Sequence, residues 1–384
     1  LVQSGEGQRM RQCHTEYFLG LARKADESWN TTPTNAWLAA LKPELDNFRS
    51  ALEWALADRP NVGLGIALAA ALGHLWSDSG LYPEGRHWVN AAIAALADGD
   101  RSAVAARLWL ALATISDARV LHDAADKARA LYEELGDQRG TAAALNWLSY
   151  GLYHMGQLDD AEKASNESFA ILRESRHTKD YVYCLNRRAI VVWAKGGPDA
   201  GIQIALEGLS LAKSLGDEIM RVGLLSNLAE YEFMAGDARQ ALAHATEAAA
   251  LSKRINDPRG MAIAYSNMAG YNRALDQMTD ARAAALEAIH WARETQRPMI
   301  IAGAIESLAL VEAHGHDPRR AAQLLGYVDA TSAKLGSQRE PNEARAYVQA
   351  MGSLQQRLQE SVSSLLAEGA MLSEDQAIEE ALKA

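Results

Sequence analysis

The sequence predicts an all-α chain, folded as a right-handed α-solenoid of antiparallel helix pairs with a period of roughly 40 residues. Three observations predict it. First, Ala161, Gly201, Ala241, Ala281 and Ala321 are all small and stand 40 residues apart, and so, 12 positions before each, are Ser149, Ala189, Ala229, Ala269 and Ala309. Leu145, Leu185, Leu225, Tyr265 and Ile305 precede these by four, and glycine recurs at Gly156, Gly196 and Gly236. A fixed period of this size marks stacked units, each too small to bury its own apolar face alone. Second, residues 141–155 and 158–175 carry apolar and small residues at three- and four-residue spacing, one face of each of two helices, with Gly156 and Gln157 at the turn. Third, strand-type alternation is absent, and alanine is abundant while phenylalanine is scarce.

Taken in order, residues 1–98 read as amino-terminal helical pairs that continue the solenoid. Residues 1–7, with Ser4, Gly5 and Gly7, read as a linker. Helical periodicity then runs from Gln8 to Trp29 and breaks at Thr31, Thr32 and Pro33. A second helix from Asn35 carries Trp37, Leu38, Leu41, Leu45, Phe48, Leu52 and Trp54 on one side, and two more follow over about 62–78 and 83–97. Residues 99–338 form the repeat array, with a degraded first copy in which Leu121 stands where alanine is expected, and five regular copies over 139–338. In the second of these, Arg188 replaces an apolar residue. Residues 339–384 are a carboxy-terminal helical cap: one long helix over 342–366, then a short one that Ser373 and Gln376 start as a capping box. Its residues 360–384 hold six acids against one lysine, the polar end that keeps a solenoid soluble.

The small residues at 149 and 161, with apolar Leu145 and Leu148, resemble the tetratricopeptide repeat, a helix pair with small eighth and twentieth positions and apolar fourth and seventh. The 40-residue period exceeds the usual length of about 34, which lengthens each helix by up to a turn. A second resemblance spans the ends. His14-Thr15-Glu16-Tyr17-Phe18, then Trp37-Leu38 with Leu41, Glu44, Asp46-Asn47, Arg49, Ala51-Leu52 and Trp54, then Trp76, Gly80, Glu84-Gly85-Arg86 and Trp88, are similar to one bacterial helical region. That region follows the nucleotide-binding and winged-helix segments of STAND-class signal-transduction ATPases and large transcriptional regulators of the LuxR or antibiotic-regulatory type. Arg320-Ala321-Ala322-Gln323-Leu324-Leu325-Gly326, and Ala367-Glu368-Gly369 with Leu372-Ser373, resemble the closing segment of the same proteins. The resemblance implies that ATPase and DNA-binding modules belong to the same full-length chain, ahead of Leu1. A start at leucine rather than methionine fits an excised piece, trimming or renumbering.

Composition narrows the function further. A net charge of −11 is the wrong sign for neutralising phosphates, so direct nucleic-acid binding is not expected. Two cysteines, Cys13 and Cys184, without short spacing, form neither a zinc site nor a disulfide framework and point to a reducing, cytoplasmic setting. No apolar run of about 18 residues is present, so no membrane span is expected. No phosphate-binding Gly-Lys-Ser/Thr loop, Gly-x-Ser-x-Gly elbow or His-Glu-x-x-His helix occurs. His314-Gly315-His316-Asp317 offers two imidazoles and a carboxylate, but a zinc site needs three or four ligands, and the cluster reads as a solvated turn. The expectation is a non-catalytic protein without cofactor or metal.

What such an array offers is an inner surface. By the tetratricopeptide resemblance, the second, fifth, ninth and twelfth positions of each first helix point into the groove: Ala143, Asn146, Tyr150 and Tyr153; Tyr183, Asn186, Ile190 and Trp193; Gly223, Ser226, Glu230 and Phe233; Ile263, Ser266, Gly270 and Arg273. Aromatic and amide groups together suit a peptide, a protein segment or a small polar effector. Trp193 and Tyr153 are the expected anchors. The function expected is a sensor or regulatory interaction domain of a larger signalling ATPase or transcription regulator. The alternative is a free-standing scaffold or adaptor; a clamp for a carboxylate tail would draw on Asn146, Asn186, Arg187 and Arg273, which are scattered over different copies.

Overall fold

The computed structural model describes residues 6–295, 298–335, 339 and 341–383. Most of the expected linker at residues 1–7, and the expected end of the array at Gln338, lie outside the described residues. The described residues are helical throughout, with no strand among them. They pack as two compact units, Leu1–Met220 and Arg221–Ala384.

The first unit opens with α1 (Glu6–Ser28), α2 (Thr34–Leu41), α3 (Leu45–Leu52), α4 (Val62–Ala71), α5 (Gly73–Asp78) and α6 (Tyr82–Ala94). The single helix expected from Asn35 onward is interrupted. Pro43 lacks an amide hydrogen, and a 3₁₀ turn over Lys42–Glu44 separates α2 from α3. Several residues behind the bacterial resemblance are packing devices. Arg49 donates through Nε and Nη2 to both carboxylate oxygens of Glu84, at 2.7 and 2.8 Å. Gly85 lies so close to Trp76 that an added Cβ would fall 2.6 Å from the tryptophan Cβ. Phe48, Leu52, Leu68, Leu75 and Trp76 are fully buried at the centre of this unit.

Helix pairs follow: α7 (Ala103–Thr114) with α8 (Ala118–Leu135), α9 (Gln138–His154) with α10 (Leu158–Leu172), and α11 (Lys179–Ala194) with α12 (Pro198–Ser214). The first pair is well formed despite Leu121. The volume of Leu121 is accommodated by Gly151, where a Cβ would come within 2.8 Å of the leucine Cδ2. Within pairs, the small positions permit close approach: Ser149 and Ala161 are fully buried, and the serine Oγ donates to the Ala161 carbonyl at 2.8 Å. Gly156, Gly196 and Gly236 hold the turns within pairs at positive φ of 75°, 92° and 95°, the left-handed region that favours glycine, and Asp276 takes that place in the fourth copy at 61°.

Helix α13 (Glu218–Met234) leads into the second unit, followed by α14 (Ala238–Arg254), α15 (Pro258–Ala274), α16 (Met278–Thr295), α17 (Pro298–Glu312), α18 (Pro318–Leu335), α19 (Pro341–Leu358), α20 (Ser361–Ala370) and α21 (Glu374–Leu382). The one long helix expected over 342–366 is in fact α19 and α20, divided where Gln359 turns to a φ of 50°. The capping box is present: Ser373 Oγ accepts from the Gln376 amide and Gln376 Oε1 accepts from the Ser373 amide. Helices α18 and α20 touch backbone to backbone through Gly326 and Gly369. A Cβ on either would overlap a main-chain carbonyl of the other helix.

Candidate functional site

The amino-terminal helices reach the repeat helices of the same unit. The connection between α1 and α2 docks on the amino-terminal end of α11. The first amides of a helix have no partner within it, and here the first two are satisfied by one asparagine: Lys179 N donates to the Asn30 carbonyl at 3.0 Å and Asp180 N to Asn30 Oδ1 at 2.9 Å. Asp217 caps α13 by accepting from Met220 N at 3.0 Å, and its other oxygen accepts from Thr34 N and Thr34 Oγ1 at 2.8 and 2.7 Å. Lys179 is buried beneath this connection, its Nζ donating to Thr34 Oγ1 at 3.1 Å and lying 4.5 Å from the centre of the Trp29 ring. Burial lowers the Lys179 pKa, opposed by Asp78, Asp217 and Asp180.

This docking determines what the first part of the expected groove contains. Trp29 is stacked between His74, at 3.6 Å, and Tyr183, at 6.1 Å, with rings nearly parallel to both. The Tyr183 position therefore holds a segment of the chain itself. Tyr183 and Tyr150 also flank Arg187, whose guanidinium carbon lies 5.4 and 5.5 Å from their ring centres and 3.8 Å above Trp147. Burial lowers the Arg187 pKa, while the ring faces stabilise its charge. Asn146 is buried; Tyr153, Asn186, Ile190 and Trp193 are half-buried. Trp193 rests on its own partner helix, where a Cβ on Gly201 would lie 2.8 Å from the Trp193 Cβ.

The second unit is open where the first is filled. Between α13, α15, α17 and α19 lies a cavity of about 280 Å³. Glu230 and Phe233 line it from α13, and Ile263, Ser266, Gly270 and Arg273 from α15. Ser226 does not line it; its hydroxyl donates to the Val222 carbonyl of its own helix at 2.9 Å. Sequence reasoning missed Met299, Ile300, Gly303, Ser307 and Leu310 of α17, and Glu343 and Ala346 of α19. Gly303 and Leu310 stand 40 residues after Ile263 and Gly270, so the same register carried to the fifth copy finds them. The opening exists because side chains are missing: a Cβ at Gly270 or Gly303 would meet no atom within 4 Å.

The cavity has an apolar and a polar side. Phe233 packs against Tyr271 at 4.8 Å between ring centres, and Met299, Ile300 and Ala262 extend that wall. Tyr271 donates through its hydroxyl to Glu230 at 3.4 Å. Arg273 is half-buried, and no acid among the described residues pairs with it; burial alone lowers its pKa. Its charge reaches His314 in the α17–α18 turn, whose pKa is lowered by burial, by Arg273 and by Arg357. In that turn Asp317 accepts from the Arg320 amide at 3.0 Å, and no metal-binding group forms among the described residues.

No protein-family profile and no curated protein sequence matches the chain. Solved structures do. A Rap protein complexed with competence and sporulation factor superposes with a TM-score of 0.66 at 14% identity, covering 92% of this chain and 99% of that one. NprR in complex with its cognate peptide NprX gives 0.55 at 12%, covering 89% and 98%. A STAND protein with a tetratricopeptide repeat sensor from Pyrococcus horikoshii gives 0.52 at 12%, covering 85% of this chain and 55% of that one. The fold is a tetratricopeptide-like helical solenoid. At these identities the likeness is one of fold. Among the described residues, no helix is long and apolar enough to cross a membrane.

Proposed function

We propose that this chain is a ligand-receiving regulatory domain, and that the cavity between α13, α15, α17 and α19 receives a peptide, a protein segment or a small effector. The observation that carries the reading is that successive inner helices leave an unfilled, half-apolar cavity around an arginine with no acidic partner among the described residues. Similar folds point the same way: one is solved with competence and sporulation factor, another with its cognate peptide. The finer reading keeps the domain in a multidomain STAND-class ATPase or LuxR-type regulator, with ATPase and DNA-binding modules in the same chain. It draws on the motif resemblance and on the similar STAND sensor. Ligand binding would then act by population shift, favouring the arrangement of the solenoid that binds it better. A free-standing adaptor remains the second reading, and the open reading frame that encodes the chain separates the two.

The test uses the glycines that open the cavity. A Cβ at Gly270 or Gly303 meets nothing within 4 Å, so leucine at both positions extends into the cavity, and replacing helical glycine removes a cost of roughly 0.5–1 kcal/mol each. The Gly270→Leu/Gly303→Leu protein should therefore fold at least as stably as the wild type. Peptides that raise the wild-type melting temperature in a thermal-shift screen should leave the double variant unmoved. Equal shifts in both proteins would place the ligand elsewhere.

A further inference from the structure

We infer that a second cavity, in the first unit, takes a small aliphatic amine in its protonated form, with the Tyr132 hydroxyl and two carboxylates receiving the ammonium. This site is separate from the cavity of the second unit and does not depend on what that cavity receives.

The space measures about 330 Å³ and lies between α1, α5, α7 and the amino-terminal ends of α9 and α11. It adjoins Trp29, whose stacking partner His74 forms part of its wall. That wall holds a polar group with nothing to bond. Tyr132 is 4% exposed, and its hydroxyl has no hydrogen-bond partner among the described residues. The ring fits because Gly140 leaves room for it; a Cβ there would overlap the ring. Arg107, Asp137, Arg139 and Asp180, which line the cavity, all act electrostatically on this hydroxyl, so it faces them. A buried tyrosine hydroxyl ordinarily finds a partner, and leaving it without one is costly.

The charges select the sign of the occupant. Four carboxylates line the space, of Asp26, Glu27, Asp137 and Asp180, against two guanidiniums. Both guanidiniums are already paired, Arg107 with Asp26 and Arg139 with Asp180 at 2.8 Å. His74 adds no charge near neutral pH, since burial, Lys179 and Arg139 lower its pKa to about 3. Glu27 and Asp137 remain, with no cation paired to either among the described residues. Helix starts attract anions, but those that reach this cavity are capped. Ser102 Oγ accepts from Ala105 N at 3.2 Å, Asp137 Oδ1 from Gly140 N at 2.9 Å, and Asn30 from the first two amides of α11. An anion therefore meets repulsion where a cation meets attraction. Ala70, Ala103, Leu110, Ala111 and Ala143 form an apolar wall for a short alkyl body, and the volume is at the lower end of ligand sites. An ammonium brings three donors to the tyrosine oxygen and the carboxylates.

Pentylamine, pentanol and pentanoate are close in size and differ in charge. Each is titrated by calorimetry into the intact chain, Tyr132→Phe, Glu27→Gln/Asp137→Asn and Gly270→Leu/Gly303→Leu, with circular dichroism checking each fold. Asparagine caps a helix about as well as aspartate, so the charge-removing variant keeps the start of α9. The intact chain should bind pentylamine roughly tenfold or more tightly than pentanol, and pentanoate weakest of the three. Glu27→Gln/Asp137→Asn should abolish the preference for amine over alcohol. Tyr132→Phe should weaken the amine about tenfold, as expected for a hydrogen bond to a charged group. The glycine-filled variant should bind it as the wild type does. Equal binding of amine and alcohol, tighter binding of pentanoate, or binding of no probe would overturn the inference. So would an amine affinity unchanged in both Tyr132→Phe and Glu27→Gln/Asp137→Asn, or lost in the glycine-filled variant, either of which places the amine outside this cavity.

Discussion

Gly326 and Gly369 set how closely the helices of the carboxy-terminal cap can approach. Each stands against a main-chain carbonyl of the other helix, of Leu366 and Gln323, and a carbonyl within a helix cannot rotate away as a long side chain can. Gly369→Ala should therefore cost about 3 kcal/mol, the upper end of overpacking effects, and Gly352→Ala, with no atom within 4 Å of its added methyl, should not destabilise. Denaturant melts of the two variants check this; equal midpoints would show that the helices slide apart freely. Beneath the α1–α2 connection, two half-buried groups titrate with opposite signs. Burial raises Asp78 to about 6 from its ordinary 3.8, opposed by Lys179 and by the Trp29 Nε1 that donates to it at 2.7 Å. Burial, with Lys179 and Arg139, lowers His74 to about 3 from 6.5. Across roughly pH 4–6 the folded protein holds a proton on Asp78 that the unfolded chain has released, so this contribution to stability falls as pH rises. For His74 the unfolded chain binds the extra proton below its ordinary value, so its contribution is lost as pH falls through that same window. The two oppose each other. Asp78→Asn keeps an acceptor for Trp29 and removes one titration, so its melting temperature should climb more steeply between about pH 4 and 6 than that of the wild type. Parallel profiles would assign the slope to other groups.

At the scale of elements, what could be read from sequence is what repeats. The pairing of α9 with α10, and of every later pair through α18, follows from the small residues at 12-residue separation, because close helix approach leaves no other choice there. Leu121 breaks the pattern only until Gly151 is considered with it: the volume moved from one helix to its neighbour, a compensation that one-residue matching does not detect. The break at Pro43 was available from the missing amide but was hidden by an apolar stripe that continues through it. The break at Gln359 had no such signal, since a non-glycine residue adopts the positive φ. The same division holds at the cavity. Glu230, Phe233, Ser266 and Arg273 share the register and are found together in space, whereas Glu343 and Ala346 come from α19, outside the repeat, and no period predicts them. Nor does any period relate Trp29 to Tyr183, so the filled state of the first unit's inner face was not legible.

For the chain as a whole, the contact of the α1–α2 connection with α11 and Asp217 changes how stability is shared. A solenoid repeat contacts only its neighbours, so a local defect stays local. Here Thr34 bonds to Asp217 across 183 residues, Asn30 to Asp180 across 150 and Lys179 to Thr34 across 145, so the first unit is closed on itself. Asp217 holds three donors at once: Met220 N, Thr34 N and Thr34 Oγ1. Asp217→Ala leaves buried donors unpaired and removes one of the acids near Lys179, at a cost of about 3 kcal/mol. In hydrogen exchange the consequence should be non-local. Protection should fall at the Thr34, Lys179 and Asp180 amides together with that of Met220, while α15 and α17 in the second unit keep theirs. Loss confined to the first turn of α13 would show that the closure carries little energy and that the repeats of the first unit behave as independent neighbours.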